Sequence, residues 1–236
     1  MTPTLIACSH GTSDPAGRAA IASLVADVAA LMPDVRVVPA FVDVEEPRVA
    51  DVVDRWASDG PVIVVPMLLS TGFHTKVDIA RAVEAHPGVA VAAPALGPHE
   101  VLIDVLGSRL TEVGFGTPGD AVVLAAAGST DPAAALDVEV VAAQLSGRLG
   151  VPVRIGFAAG AGPRIPDVVA EARAAGAGRV VAASYVLAPG FFARVIEGAG
   201  ADVVTAPLAP DGRLAGIVVE RYGAARAPMR PVHPVL

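Results

Sequence analysis

The sequence predicts an α/β protein built from two tandem, similar lobes, each a parallel sheet of about four strands flanked by helices. Three observations predict it. Short Val-rich runs alternate with longer amphipathic segments, the runs are continuously apolar as strands buried on both faces must be, and the whole pattern is written twice. Apolar residues make up 53% of the 236 and charged residues 17%, so the chain can fill a sizeable core and is not of disordered composition. Aromatics are only 4%, which leaves Val, Ala, Leu and Ile to fill it.

The first half opens with LIAC (5–8), a buried strand, and passes to an amphipathic helix over 16–31. VRVVPAF (35–41) is the second strand and 47–58 the second helix. VIVVPML (62–68) is the third strand, 75–85 the third helix, and VAVAA (89–93) the fourth strand. The order then restarts. VVLAAAGSTDP (122–132) echoes LIACSHGTSDP (5–15), VRIGFAAGAGPRIPDVV (153–169) echoes VVPAFVDVEEPRVADVV (37–53), and VVAASYVLAPGFFARV (180–195) echoes VIVVPMLLSTGFHTKV (62–77). APLAPDGRL (206–214) echoes APALGPHEVL (93–102) more loosely. A period of half the chain marks a duplicated domain rather than a solenoid unit. The Gly- and Pro-rich VGFGTPGD (113–120) separates the copies, giving lobes 1–116 and 117–236.

A net charge of -7 with no basic run argues against a nucleic-acid partner. Cys8 is the one cysteine, so neither a disulfide framework nor a thiolate metal cage is available. The LIAC stretch lacks the basic and apolar regions of a lipoprotein signal. No apolar run reaches the ~18 residues of a membrane helix. The expectation is a soluble, cytoplasmic protein, monomeric or a weak homo-oligomer.

The two copies differ in their polar residues. His10 maps onto Ala127 and His74 onto Phe192, so both histidines belong to one copy. Arg48 maps onto Arg164 and Lys76 onto Arg194, so the basic residues persist. His10 follows strand 1, His74 follows strand 3 across the turn STG, and Asp43, Glu45 and Glu46 follow strand 2. Open parallel sheets bind ligands at the carboxyl ends of their strands, and all these groups fall on that edge. Histidine there can also cap or pack, and Asp43 or Glu46 can cap the second helix. But the joint loss of both histidines where the scaffold survives favours a chemical role. The remaining histidines have simpler readings: His86 near a helix end, His99 near a helix start, His233 in a Pro-rich tail. GTSDPAG (11–17) fits neither phosphate-loop pattern. Two imidazoles and a carboxylate are too few for a closed structural metal site, and they leave positions open for a substrate.

SHGT (9–12), LLSTGFHTKVDI (68–79) and FVDVEEP (41–47) resemble the motifs of the class II sirohydrochlorin chelatases, the CbiX and SirB type. The second motif is carried by Pro66, Leu68, Leu69, Gly72, His74, Asp78 and Ile79, and the resemblance extends over essentially the whole chain because two-lobed members carry the same duplication. Asp43 stands where that family often has Glu, so Asp43 and Glu46 are both candidates for the site carboxylate. The resemblance implies insertion of a divalent metal, Co2+ or Fe2+, into sirohydrochlorin, with the metal as substrate and no organic cofactor. It implies that His10 and His74 hold the metal and, with Asp43 or Glu46, take up the pyrrole protons. Arg48, Lys76, Arg164 and Arg194 would face the substrate's carboxylates, since the global charge opposes an anion. Two other readings remain: a metal-binding or delivery protein without ring chemistry, and another α/β enzyme or periplasmic-style binding protein whose histidines are structural.

Overall fold

The computed structural model describes residues 2–72 and 74–227, and of residues 74–76 the backbone alone. The side chains of His74 and Lys76, and all of His233, lie outside the described residues.

Two four-stranded parallel sheets form. The first comprises β1 (Thr4–Ser9), β2 (Val37–Phe41), β3 (Val62–Pro66) and β4 (Ala90–Ala92), in the order β2-β1-β3-β4. The second comprises β5 (Asp120–Ala126), β6 (Val153–Phe157), β7 (Arg179–Tyr185) and β8 (Val203–Val204), in the matching order β6-β5-β7-β8. Register matches as well: Ser9 stands opposite Phe41 as Ala126 stands opposite Phe157. The helices are α1 (Pro15–Leu31), α2 (Val49–Ala57), α3 (Ala80–Glu84), α4 (Glu100–Glu112), α5 (Pro132–Leu149), α6 (Ile165–Ala174), α7 (Phe191–Glu197) and α8 (Arg213–Arg226). The expected third helix, 75–85, departs from a regular α-helix: its first part, His74–Ile79, is a π-helical stretch, a wider winding that often occurs at functional sites.

Side-chain alternation along the strands divides the core into layers. On the outer faces, Val49, Val52 and Val53 of α2 and Ala82 of α3 cover Ile6, Cys8, Val62 and Val64. Likewise Ile165, Val168 and Val169 of α6, with Ala193 and Ile196 of α7, cover Val123, Ala125, Val180 and Ala182. The inner faces meet in one continuous core. Leu5, Ala7, Ile63 and Val65 from the first sheet and Val122, Leu124, Val181 and Ala183 from the second share it with α1, α4, α5 and α8.

The last helix of each copy crosses over. Helix α4 packs against α5 and β7, and α8 packs against α1 and β3. Polar contacts repeat the exchange in both directions. Arg221 of α8 donates to the carbonyls of Ala95, Leu96 and Pro98. Arg109 of α4 donates to those of Pro207, Leu208 and Pro210. Arg148 of α5 pairs with Asp104 of α4. The Tyr222 hydroxyl donates to the Pro3 carbonyl at 2.6 Å. The copies are therefore repeats along the chain, whereas in space each sheet is completed by the other copy's helix. Amphipathic periodicity shows that α4 and α8 have an apolar face but not which sheet it meets.

Tyr222→Phe leaves the Pro3 carbonyl without this donor in the core. It is expected to lower the unfolding free energy by about 1–2 kcal/mol, read from urea unfolding with an unchanged m-value. A shared core also requires a single transition; two separate ones would show that the copies unfold independently.

Candidate functional site between the lobes

The carboxyl ends of both sheets open into one cleft of about 620 Å3. The first lobe contributes Ser9, His10, Thr12, Val44 and the Met67–Ser70 segment. The second contributes the Ala126–Thr130 loop, Phe157 and the Tyr185–Phe192 segment. Apolar side chains dominate the walls, and Phe191 is 66% exposed beside Phe192, their ring centroids 5.3 Å apart and edge to face.

The lobes touch on both flanks of the cleft. The buried Tyr185 hydroxyl donates to the Leu69 carbonyl at 3.0 Å, and the Thr71 N–H donates to Asp137 at 2.7 Å. Burial, with the Asp137 charge adding, pushes the Tyr185 hydroxyl above its ordinary range, so it stays a donor. On the other flank, α1 approaches so closely that a Cβ on Gly17 would lie 2.3 Å from the Pro189 oxygen, and Arg194 of α7 pairs with Asp14, the N-cap of α1, at 2.5 Å.

The loop carrying His10 is fixed at each residue. Gly11 has φ +88°, and a Cβ there would lie 2.3 Å from the Asp43 carbonyl oxygen, so only glycine lets the two loops meet. The Asp43 N–H donates to the His10 carbonyl at 3.0 Å. The Thr12 N–H donates to Glu45 Oε1 at 2.8 Å, and Glu45 Oε2 reaches Arg18 at 3.1 Å. Asp14 then caps α1, accepting from Ala16 and Gly17. Glu45 is thus committed to holding the His10 loop.

The two candidate carboxylates have different surroundings. Asp43 is held below the usual carboxylate range first by the N–H of Val44, then by Arg48 and by the nearby His10. Glu46 is 69% exposed and pairs with Arg48 Nε at 2.9 Å. Between them, Val44 has φ +58°, left-handed and unusual for a β-branched residue. Its counterpart in the second copy is Gly160, φ +73°, so the copy relaxes what Val44 strains. The second loop otherwise has the same framework: Gly128, φ +87°, sits under the Ala159 oxygen as Gly11 sits under that of Asp43. Ala127, Ala159 and Ala161 replace His10, Asp43 and Glu45.

Of the expected basic residues, Arg48, Arg164 and Arg194 do not gather at the cleft walls, and the Lys76 side chain lies outside the described residues. Arg48 is bound to Glu46 and Asp43, and Arg194 to Asp14. Arg164 has no acidic partner among the described residues; like Arg48, it precedes a helix and bridges back to its strand. Neither Arg48, Arg164 nor Arg194 lines the cleft. Sequence spacing placed these residues near the strand ends but could not show that neighbouring carboxylates neutralise two of them.

His86 pairs with Asp54 at 2.6 Å, and His99 caps α4 while reaching Glu220 at 3.0 Å, so neither serves the cleft. Burial, with the Asp78 charge adding, pushes the Cys8 thiol up to about 12, which keeps it protonated. Two cleft features escaped the sequence reading. One is the set of hydroxyls at Ser9, Thr12, Ser13, Ser70, Ser129 and Thr130, of which Thr12, Ser13, Ser129 and Thr130 belong to the HGTSDP and AGSTDP stretches. The other is the aromatic rim at Phe191, which nothing short of its exposure distinguishes from core.

By relieving the left-handed backbone of Val44, Val44→Gly should raise the unfolding free energy by about 1 kcal/mol. Gly11→Ala should lower it by about 2 kcal/mol or more, through both its φ and the clash with Asp43. Thermal unfolding of the two variants checks both signs.

The CbiX family profile matches residues 4–113 and again residues 121–225. A sirohydrochlorin cobaltochelatase of Sulfurisphaera tokodaii is 33% identical over 76 residues, 31% of this chain and 63% of that protein, so the chain spans less than two thirds of this relative's length. SirB from Bacillus subtilis with Fe3+ superposes with a TM-score of 0.80 at 21% identity, covering 96% of each chain. SirB from Bacillus subtilis subspecies spizizenii in complex with cobalt gives 0.76 at 20% identity, covering 97% of each. The CbiX described as the terminal enzyme for biosynthesis of siroheme in denitrifying bacteria gives 0.69 at 21% identity, covering 94% of this chain and 99% of that one. With the profile matched across both copies, the chain belongs to the CbiX family.

Proposed function

We propose that this protein inserts a divalent metal, Co2+ or Fe2+, into sirohydrochlorin. The observation that carries the reading is His10, fixed on a rigid loop at the strand ends and facing a cleft whose walls are mainly apolar. The family membership and the likeness to a sirohydrochlorin cobaltochelatase and to SirB support the macrocycle as substrate. The metal is a substrate. Its entry replaces two pyrrole N–H bonds with bonds from nitrogen to metal, so two protons must leave, and imidazole is the side chain suited to take them near neutral pH.

In this reading His10 and His74 present the metal to the ring. Both carboxylates pair with Arg48, and Asp43 is the assisting carboxylate rather than Glu46 because its charge also lies near His10. The walls of Leu68, Leu187 and Phe191 bury the faces of the macrocycle. Arg48, Lys76, Arg164 and Arg194 are then peripheral, acting at most on substrate carboxylates that reach beyond the walls. Repeat 1–116 supplies the chemistry and repeat 117–236 the opposite wall, so a monomer has a complete cleft. The reading includes no organic cofactor, no nucleic-acid partner and a cytoplasmic location; no described helix is long and apolar enough to cross a membrane. Imidazole and carboxylate do not choose between cobalt and iron, and the similar proteins include a cobaltochelatase and SirB structures with Fe3+ and with cobalt.

The test mixes apo protein with sirohydrochlorin anaerobically, adds Co2+ or Fe2+ separately, and follows the visible spectrum against a no-enzyme control. Acceleration by the wild type, and a loss of about 100-fold or more in kcat for His10→Ala, are expected. Phe191→Ala is expected to raise KM about tenfold with kcat little changed, as loss of ring contact should. No acceleration with either metal would overturn the chelatase reading and leave metal delivery without ring chemistry.

A further inference from the structure

One polar atom in the cleft has no explanation in the apo fold. Ser9 is 2% exposed, and its Oγ has no hydrogen-bond partner among the described residues. Buried hydroxyls are nearly always bonded. Thr205, 3% exposed, shows the usual case: its Oγ1 accepts from the Ser184 N–H at 2.9 Å and donates to the Ala206 carbonyl at 3.2 Å. Ser9 ends β1, directly before His10, and lines the cleft. Alternation along β1 puts it on the same face as Leu5 and Ala7, the inner face shared by the two lobes.

The fold does not require this hydroxyl. The second copy has Ala126 in the same place, 2% exposed and in the same register against its neighbouring strand. The serine therefore occurs only in the copy that carries the histidines. A buried donor and acceptor without a partner among the described residues, next to the His10 imidazole at the cleft, is a group suited to a partner that arrives with the substrate.

We propose that Ser9 is a substrate-contacting residue of metal insertion. Its hydroxyl hydrogen-bonds the macrocycle beside His10, accepting from a pyrrole N–H and orienting that bond before its proton leaves. The serine gains and loses no proton: the N–H proton goes to imidazole, and the nitrogen lone pair so freed goes to the metal. This inference rests on the chelatase reading and adds to it the group that aligns the ring nitrogens.

Ser9→Ala tests it because the two roles predict opposite patterns. If the hydroxyl waits for substrate, the apo variant unfolds at the wild-type temperature or higher, since an unpaired buried polar group has been removed. Its kcat for metal insertion falls about tenfold or more, with KM within about threefold. A variant with lowered melting temperature and wild-type kcat overturns the proposal and makes the hydroxyl structural. A variant unchanged in both overturns it too. Wild-type binding of metal-free sirohydrochlorin, read from its spectrum, separates the two levels. If the wild type neither binds nor metallates the ring, the chelatase reading falls and takes this inference with it. If the wild type does both and Ser9→Ala matches it, only the inference falls.

Discussion

The structure depends on one shared apolar core that neither copy of the repeat can close alone. A four-stranded parallel sheet needs helices on both faces. Here α2 and α3 cover one face of the first sheet and α6 and α7 one face of the second. The inner faces are completed by exchange: α8 lies on α1 and β3, and α4 on α5 and β7. Burying Leu102, Leu106 and Leu110 against one sheet and Leu214, Ile217 and Tyr222 against the other holds the lobes together by the hydrophobic effect. The arginines refine the exchange. Arg109 and Arg221 each satisfy carbonyls in the segment leading away from the opposite copy's edge strand, backbone acceptors that would be unpaired if the helix were withdrawn.

That exchange positions the cleft. Because the two sheets are tied through their inner faces, their carboxyl ends are brought to face each other, and the loops after β1 and β5 come from opposite sides. The first loop shows how much order a single imidazole demands. Gly11 permits the approach to Asp43, Glu45 holds the Thr12 amide, and Asp14 starts α1. The second loop preserves the turn through Gly128 and the cap through Asp131 while the positions matching His10, Asp43 and Glu45 are alanine. A scaffold that survives the loss of His10, Asp43 and Glu45 did not need them for folding.

Much of this was legible in the sequence because it depends on local periodicity. Val-rich runs of strand length, their alternation with helices and the repeat of the whole pattern follow from chain-local rules. His10 at a strand end was legible for the same reason, as was the burial of Cys8 within the strand LIAC. What escaped depends on non-local packing. The destinations of α4 and α8 are a choice between two similar apolar faces, and amphipathicity is blind to it. The neutralisation of Arg48 by Glu46 and of Arg194 by Asp14 is a matter of side-chain reach, the latter across 180 positions of sequence. The hydroxyl of Ser9 was inconspicuous because serine after a strand is commonplace. Only burial without a partner sets it apart.

The electrostatics of the cleft bear on what it can hold. The chain carries -7, Arg48 and Arg194 are already paired, and the walls are mainly apolar. Such a site is poorly suited to engulf a compact polyanion, whose charges would be desolvated against walls that hold no arginine or lysine among the described residues. It is well suited to a flat molecule whose faces are apolar and whose charges lie on its rim. The faces can be buried between Leu68 on one side and Leu187 and Phe191 on the other, while the rim stays in water at the open mouth. Polar contact is then needed only where the ring's centre meets the protein, and there the cleft provides an imidazole and a hydroxyl on adjacent residues, His10 and Ser9. In the proposed reading, charge on the substrate's periphery is thereby separated from chemistry at its centre, and a cleft without an arginine among its described residues can still accept a polycarboxylate.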